Sequence, residues 1–293
     1  MGRRISVVSV GIAAVGFTLA GHGVSAAEPL PPAQAPAAPL AAPAPAAGVG
    51  AKRRPLLRLS NPRASVECKV KSPAYEGRAP LRAVRRAILQ NRPVRVIALG
   101  ASAAVDAGAT SPRATYPVRL ENDLEGVIEG LQVEMYARGQ SGEVAEGAAD
   151  RIKAEIAELR PDLVVWQVGT NDAVARIDAE TFGEQLRETL SWLASHKIDV
   201  VLIDPQYVER LSRDVRYTSI VNEIATVASE MHVLLVNRYE TMADLARQNP
   251  GSSYLSNDRF HLNDLGYRCM AEYAVKAIVA GILQADTENG ALH

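Results

Sequence analysis

The alternation of short apolar runs with amphipathic segments, from residue 94 onward, most constrains the fold of this chain. Five runs have the length and the β-branched content of strands. Four of them are nearly continuous, which is typical of a parallel sheet that is buried on both faces. The runs span residues 94–99, 131–136, 162–168, 199–204 and 233–236.

Segments with apolar residues at intervals of three and four predict helices between the runs. They span residues 117–128, 144–159, 181–195, 214–230 and 265–283. Alternating strands and helices imply βαβ crossovers, and hence a three-layer α/β/α sandwich with a five-stranded parallel sheet. This domain takes up residues 92–285. The ligand site of such a fold lies beyond the carboxyl ends of the strands.

The first 27 residues have the pattern of a secretory signal peptide. Arg3 and Arg4 precede an uncharged run, residues 5–20, and small residues at 24–27 offer a cleavage site. The run is short for a membrane span, which needs about 20 apolar residues. We therefore expect a cleaved signal and a periplasmic or secreted protein, with an uncleaved N-terminal membrane anchor as the alternative.

Residues 28–51 are almost entirely Ala and Pro. Because Pro disrupts both helices and strand pairing, this stretch is predicted to be a semi-rigid linker. Residues 52–91 form a basic N-terminal extension and residues 286–293 a C-terminal tail. The arginines of residues 78–92 could contact acidic glycans or lipid head groups of a cell envelope, or they could form the solvated face of a helix.

The charge balance and the two cysteines narrow the range of partners. With 32 Lys and Arg against 33 Asp and Glu, no nucleic-acid partner is expected. Two cysteines, Cys68 and Cys269, exclude a disulfide-dense scaffold and a Cys-rich zinc site. In an exported protein we expect them to form a disulfide that joins the extension to the last helix, with two buried free thiols as the alternative.

Polar or glycine-rich segments follow three of the predicted strands. Ser102 follows the first, where a turn toward a helix exposes a hydroxyl near backbone N–H donors and makes it a candidate nucleophile. After the second, Gly142 could direct its N–H at an oxyanion, and after the third, Asn171 could donate from its side-chain amide. Each residue alone is equally typical of an ordinary turn or helix cap.

His261 is the candidate general base. Among the histidines outside the signal peptide, it alone has a carboxylate close in sequence within a predicted loop, namely Asp258 three residues earlier. That carboxylate can hold the imidazole Nδ1–H and stabilise the imidazolium ion. A hydroxyl, oxyanion donors and an oriented base together supply what acyl transfer requires.

These segments resemble the sequence blocks of the SGNH hydrolase superfamily, also called GDSL-type esterases and lipases. The similar segments are Gly100-Ala101-Ser102, Gly142, Gly169-Thr170-Asn171-Asp172 and Asp258-Arg259-Phe260-His261. The resemblance covers residues 94–285 and implies a flavodoxin-like fold. Ala101 stands where the family usually has Asp, and Ala137 where an Asn often opens the second block. Their missing hydrogen bonds would loosen the turn that carries Ser102.

The resemblance implies a role for each matching residue. Ser102 would attack an ester carbonyl, His261 would take its proton, and Asp258 would orient His261. The backbone N–H groups of Ser102 and Gly142, with the amide of Asn171, would form the oxyanion hole. No cofactor is implied, and no metal is expected because the spacing of His, Cys and acidic residues suggests no metal site.

The sequence therefore predicts an exported serine esterase that hydrolyses carboxylic esters of a small molecule or glycan. O-acetyl groups on wall or capsule glycans, lysophospholipids and acyl-thioesters all fit this prediction. An O-acyltransferase acting on cell-envelope glycans would use the same residues, and a binding module with a decayed site is the non-enzymatic alternative. Neither acyl chain length nor oligomeric state is predicted.

Overall fold

A computed structural model of the protein describes residues 58–104, 107–250 and 253–290. The predicted signal peptide (1–27), the linker (28–51), residues 52–57 of the extension and residues 291–293 of the tail lie outside the described residues. Within those described ranges, no helix combines the length and the apolar character that a membrane span requires.

A six-stranded sheet forms the centre of the fold. Its strands are β1 (Tyr75–Glu76), β2 (Val94–Gly100), β3 (Val133–Gly139), β4 (Leu163–Gln167), β5 (Asp199–Ile203) and β6 (Leu234–Val236). Their order is β1-β6-β5-β4-β2-β3, and every pairing among β2 to β6 is parallel. The predicted α/β class and the parallel sheet are confirmed.

The prediction of five strands is wrong by one, because β1 adds a sixth at the edge of the sheet. It pairs antiparallel with β6, with Tyr75 opposite Val236. A strand of two residues has no periodicity that a sequence pattern could reveal, so only its pairing identifies it. The last predicted helix also differs, because it continues to Gly290 and takes in part of the predicted tail.

Helices cover both faces of the sheet and complete the three layers. They are α1 (Arg82–Leu89), α2 (Tyr116–Val127), α3 (Ala145–Leu159), α4 (Thr170–Val174), α5 (Ala179–Ser195), α6 (Val215–Glu230), α7 (Arg238–Gln248) and α8 (Asp264–Gly290). On one face, Val96 and Ala98 of β2 belong to a buried cluster with α1, α2, α7 and α8. On the other face, Ile97 and Leu99 belong to a cluster with α3, α5 and α6.

The order in which the chain adds strands reverses between β2 and β4: the chain runs from β2 to β3 on one side and from β4 to β5 on the other. Where two neighbouring strands continue toward opposite sides, a crevice opens at their carboxyl ends, and doubly wound folds bind their ligands there. The residues directly after β2 and β4 therefore lie at the mouth of this crevice.

The described part of the extension belongs to the same core as the sheet. Cys68 and Leu81 are buried in the cluster that includes α8. A disulfide joins Cys68 to Cys269 of α8, with 5.1 Å between their Cα atoms. The Tyr273 hydroxyl also donates to the Cys68 carbonyl at 2.7 Å, so α8 holds this segment by a covalent bond and a hydrogen bond.

Candidate active site

Ser102 lies directly after β2, in a short 3₁₀ turn that spans Ser102–Ala104. The strand end comes so close to β4 that a Cβ atom on Gly100 would lie 3.2 Å from the Gln167 carbonyl oxygen. Gly100 therefore lets the two strand ends approach each other. The turn itself is closed by the backbone hydrogen bond from the Ala104 N–H to the Ala101 carbonyl, at 3.1 Å.

Neither departure from the family pattern brings a polar side chain to this turn, since Ala101 and Ala137 carry only methyl groups. Backbone hydrogen bonds hold the two segments instead. The Gln140 N–H donates to the Gly100 carbonyl at 3.1 Å and the Ala107 N–H to the Ser102 carbonyl at 3.3 Å. The turn is thus fixed to the β3 segment without the carboxylate or amide that the family pattern would supply.

His261 reaches Ser102 from a loop that precedes α8. Its Nε2 lies 3.0 Å from the Ser102 Oγ, and its Nδ1 lies 2.5 Å from Asp258 Oδ2. The loop is closed by a bridge between Leu255 and Leu262 and by a 2.7 Å hydrogen bond from the Ser256 N–H to the His261 carbonyl. Hydroxyl, imidazole and carboxylate therefore form one hydrogen-bonded line across 159 residues of sequence.

Asp258 is held in its ionised form by its partners. Partial burial raises the pKa of its carboxyl, but hydrogen bonds from His261, the Ser256 hydroxyl and the Phe260 N–H outweigh that effect. The result is a pKa well below the usual range of an Asp. A carboxylate that stays charged can orient His261 and stabilise the imidazolium form without taking its proton.

Asn171 lies in α4 at the end of β4, and it lines the same small cavity as Ser102 and His261. One hydrogen of its Nδ2 amide is donated to the Glu143 carbonyl at 2.8 Å. Because an amide carries two N–H donors, this bond orients the group and leaves the second donor for another acceptor. Asp172 next to it accepts from the Ala145 N–H at 2.9 Å and so fixes the start of α3.

The backbone at Gly142 has a φ of +79°, a conformation that favours glycine. Its neighbour Glu143 is tied to Asn171, but Gly142 is not among the residues that line the cavity at Ser102. The cavity therefore brings Ser102, His261 and Asn171 together, Asp258 is joined to them through His261, and Gly142 is not part of the lining. The oxyanion role of Gly142 stays a prediction.

Gln206 is a site residue that the sequence analysis missed. Its buried side chain accepts from the Thr170 hydroxyl at 3.0 Å and donates to the Phe260 carbonyl at 3.3 Å. It thereby connects the α4 segment to the loop of His261. A signal existed, because Gln206 follows the fourth predicted strand just as Ser102 and Asn171 follow others.

Arg238 lies behind this cavity and is almost wholly buried, with 1% of its surface exposed. Its Nε donates to the Asp204 carbonyl at 2.8 Å, whereas its Nη2 has no hydrogen-bond partner among the described residues. Burial raises the pKa of the Asp204 carboxyl to about 7 and lowers the pKa of Arg238. The cavity that Arg238 lines offers about 10 Å³ to the centre of a water molecule.

No three His, Cys, Asp or Glu side chains of the described ranges are grouped so that they could hold a metal ion.

Comparison with models of protein families identifies the family of this chain. The model of the non-GDSL lipase-like family matches residues 67–284. The chain belongs to this family. No curated protein is similar enough to count as a match.

Several solved structures are similar in fold to this non-GDSL lipase-like protein. An acetyl xylan esterase, AlAXEase, is 25% identical over 63% of this chain and 100% of its own, with a TM-score of 0.55. The lipase/acylhydrolase from Enterococcus faecalis is 23% identical over 64% of this chain and 96% of its own, with a TM-score of 0.55. The likeness to the second is one of fold.

A two-domain esterase active on acetylated mannans is 14% identical over 74% of this chain and 58% of its own, with a TM-score of 0.61. This likeness also concerns the fold alone. The family and the folds of these neighbours confirm the predicted SGNH-type fold and support a hydrolase of ester bonds.

Proposed function

We propose that this protein is an exported serine esterase that removes short acyl groups, acetyl above all, from an oxygen of a glycan or small molecule. The observation that carries the proposal is the hydrogen-bonded line from the Ser102 hydroxyl through His261 to Asp258. Acyl transfer is expected to use a nucleophile that is hydrogen-bonded to a base, with the base itself oriented by a third group.

The reaction follows from the positions of these groups. The Ser102 oxygen attacks the ester carbonyl while His261 Nε2 takes the hydroxyl proton. The oxyanion that forms is held by the free amide hydrogen of Asn171, together with the N–H groups of Ser102 and Gly142. His261 then gives the proton to the departing alkoxide, which leaves an acyl-Ser102 ester. Water, deprotonated by His261, releases the acid and restores the hydroxyl.

The preference for a short acyl group is supported by the cavity beside Ser102. Its volume is of the order of one water molecule, and its walls include Arg238, Gln206 and Asn171. A long alkyl chain would need a much larger apolar channel than this cavity provides. AlAXEase, a structural neighbour that is 25% identical, is named as an acetyl xylan esterase.

Export is supported by the pattern of residues 1–27, and the Ala/Pro-rich residues 28–51 would serve as a tether between the cell envelope and the catalytic domain. An extracytoplasmic enzyme meets acylated glycans of the envelope. This location and the predicted substrate class therefore agree with each other.

The decisive experiment is a series of p-nitrophenyl esters from acetate to decanoate, alongside an O-acetylated glycan. The wild type should be fastest on acetate, and Ser102→Ala should lose at least about a thousandfold in kcat. Ser111→Ala is the matched control, because this exposed serine makes no side-chain cap hydrogen bond, and it should keep full activity. Equal rates of the Ser102 variant and the wild type would disprove the assignment of Ser102 as the nucleophile.

A wild type inactive on every ester would support a binding module. Transfer of the acyl group to an added glycan in preference to water would identify an acyltransferase.

A further inference from the structure

A wide groove lies at the opposite edge of the sheet from Ser102, at the amino ends of β5 and β6. Its volume is about 630 Å³. One wall is the segment from Arg78 to Arg86, and the other is formed by the residues that enter β5 and β6, including Lys197 and His232. This groove shares no lining residue with the cavity at Ser102.

Four of the arginines of residues 78–92 fall into two groups. Arg85 forms an ion pair with Asp286, and Arg92 holds Asp162 through two hydrogen bonds of 2.6 and 2.7 Å. These two side chains stabilise the fold. Arg78 and Arg86 instead line the groove, are exposed, and form no ion pair with any described residue.

Cations face each other across the groove. Arg82 and Arg86 are one helical turn apart on α1, about 6 Å along its axis, and Arg78 precedes them. Lys197 lies exposed on the facing wall, and the exposed His232 beside it adds an imidazole that can hydrogen-bond to an anion. Charges on two walls give a concave positive surface that focuses its field on whatever lies between them.

The one acidic residue that lines the groove does not cancel this charge. The Asp199 carboxylate accepts from the N–H groups of Ala83 and Val84, at 2.8 and 2.9 Å, and so closes the start of α1. Burial raises the pKa of Asp199 to about 6, so near that pH it is only partly ionised. Its charge is directed at the helix and not at the open space of the groove.

The rest of the lining restricts the chemistry of the ligand. It is aliphatic, with Pro80, Leu190, Met231 and Val233 among its members, and it contains no Phe, Trp or Tyr. Single-stranded nucleic acids need aromatic platforms for their bases, so they fit poorly. A flat membrane surface would not reach two facing walls of a groove.

We propose that this groove binds a linear acidic polysaccharide, whose carboxylate or phosphate groups pair with Arg78, Arg86, Lys197 and His232. The site would hold the protein on an anionic glycan while the opposite edge of the sheet stays open to an ester. It does not depend on the proposed esterase function, because none of its residues takes part in the reaction.

The test is binding of the mature full chain to fluorescein-labelled polygalacturonate oligomers, followed by anisotropy at 50 and 300 mM NaCl. Wild-type binding should be salt-sensitive. The double variant Arg86→Glu/Lys197→Glu should bind about tenfold or more weakly, since each reversed contact costs severalfold. The control Lys153→Glu/Arg216→Glu has the same change in net charge at exposed positions of α3 and α6, and it should stay within about threefold of the wild type.

A second variant, Arg86→Gln/Lys197→Gln, guards against misfolding from reversed charges and should still lose about threefold or more. Equal losses in the groove variant and its control would overturn the proposal. So would wild-type binding no stronger than to neutral pullulan, or stronger binding to a single-stranded oligonucleotide or to phosphatidylglycerol vesicles. Hydrolysis of p-nitrophenyl acetate should be unchanged in all three variants, which keeps this outcome separate from that of the esterase test.

Discussion

The side-chain amide of Gln206 donates a hydrogen bond to the backbone carbonyl of Phe260, the residue before His261. The oxygen of the same side chain accepts from Thr170, the residue before Asn171. One buried glutamine thus spans the segment of the proposed oxyanion donor and the segment of the proposed base. We regard Gln206 as a positioning residue, which acts on the reaction through its neighbours.

Replacing Gln206 with Leu should lower kcat about tenfold and change KM little, because both hydrogen bonds are lost while the volume is kept. Thr170→Val is the matched control, since it removes the Thr170 hydroxyl but keeps the bond from Gln206 to the Phe260 carbonyl, and it should lose about threefold or less. Steady-state kinetics and thermal unfolding of both variants distinguish a positioning role of Gln206 from a structural one. A lower melting temperature with unchanged kcat would show that Gln206 has only a structural role.

Asp258→Asn should lower kcat by about three to four orders of magnitude while the fold survives. An amide in place of the carboxylate presents an N–H to His261 Nδ1 and favours the wrong tautomer, although its oxygen can still accept from the Phe260 N–H. Asp178→Asn is the control, because this carboxylate caps α5 through the N–H groups of Glu180 and Thr181. That variant should keep its activity. Comparable losses in both variants would refute a catalytic role for Asp258.

The raised pKa of Asp199 predicts that the stability of the protein depends on pH. Because its pKa is about 6 in the folded protein, above the value of about 4 in an unfolded chain, the folded state holds a proton that the unfolded state has released. The free energy of unfolding should therefore fall as pH rises from 4 to 6, by at most about 3 kcal/mol from this group. Asp199→Asn should lack this decrease.

Urea denaturation of the wild type and of Asp199→Asn at pH 4.5 and 7.5 measures the difference directly. Other carboxyl groups contribute equally to both proteins, so the gain of the variant over the wild type should be larger at pH 7.5. A gain that is the same at both pH values would contradict a raised pKa at Asp199.

Removing the disulfide should cost about 3–5 kcal/mol of unfolding free energy, because it closes a long loop in the unfolded chain. Its two cysteines are separated by 201 positions. The double variant Cys68→Ser/Cys269→Ser should unfold at lower urea than the oxidised wild type. A reductant should bring the wild type to the same midpoint and leave the variant unchanged. An unaltered wild-type midpoint in reductant would contradict this role.

The pattern of apolar runs was sufficient for the parallel strands, because burial on both faces leaves a strong signal in residues such as those of 162–168. Other elements could not be predicted from the sequence, for physical reasons. β1 is defined only by its partner, and α7 begins with a buried Arg238 that a hydropathy pattern assigns to the surface.

The same contrast holds for the candidate site. Asp258 and His261 are close in sequence, so their contact could be predicted from three-residue spacing. Their approach to Ser102 is predicted by the position of these polar groups after the strands and by the family resemblance, whereas the bridge through Gln206 required coordinates. Such a bridge joins three separate segments through the length and rotamer of one side chain, which no single segment of the sequence encodes.

The disulfide between Cys68 and Cys269 also makes the catalytic domain a covalent ring. Ser102, Asn171, Asp258 and His261 all belong to that ring. A protease that cuts one peptide bond within it opens the ring but releases no fragment, because the disulfide still joins the two pieces. A nicked enzyme would thus keep its mass under non-reducing conditions, and its two halves could re-form the site without having to find each other by diffusion.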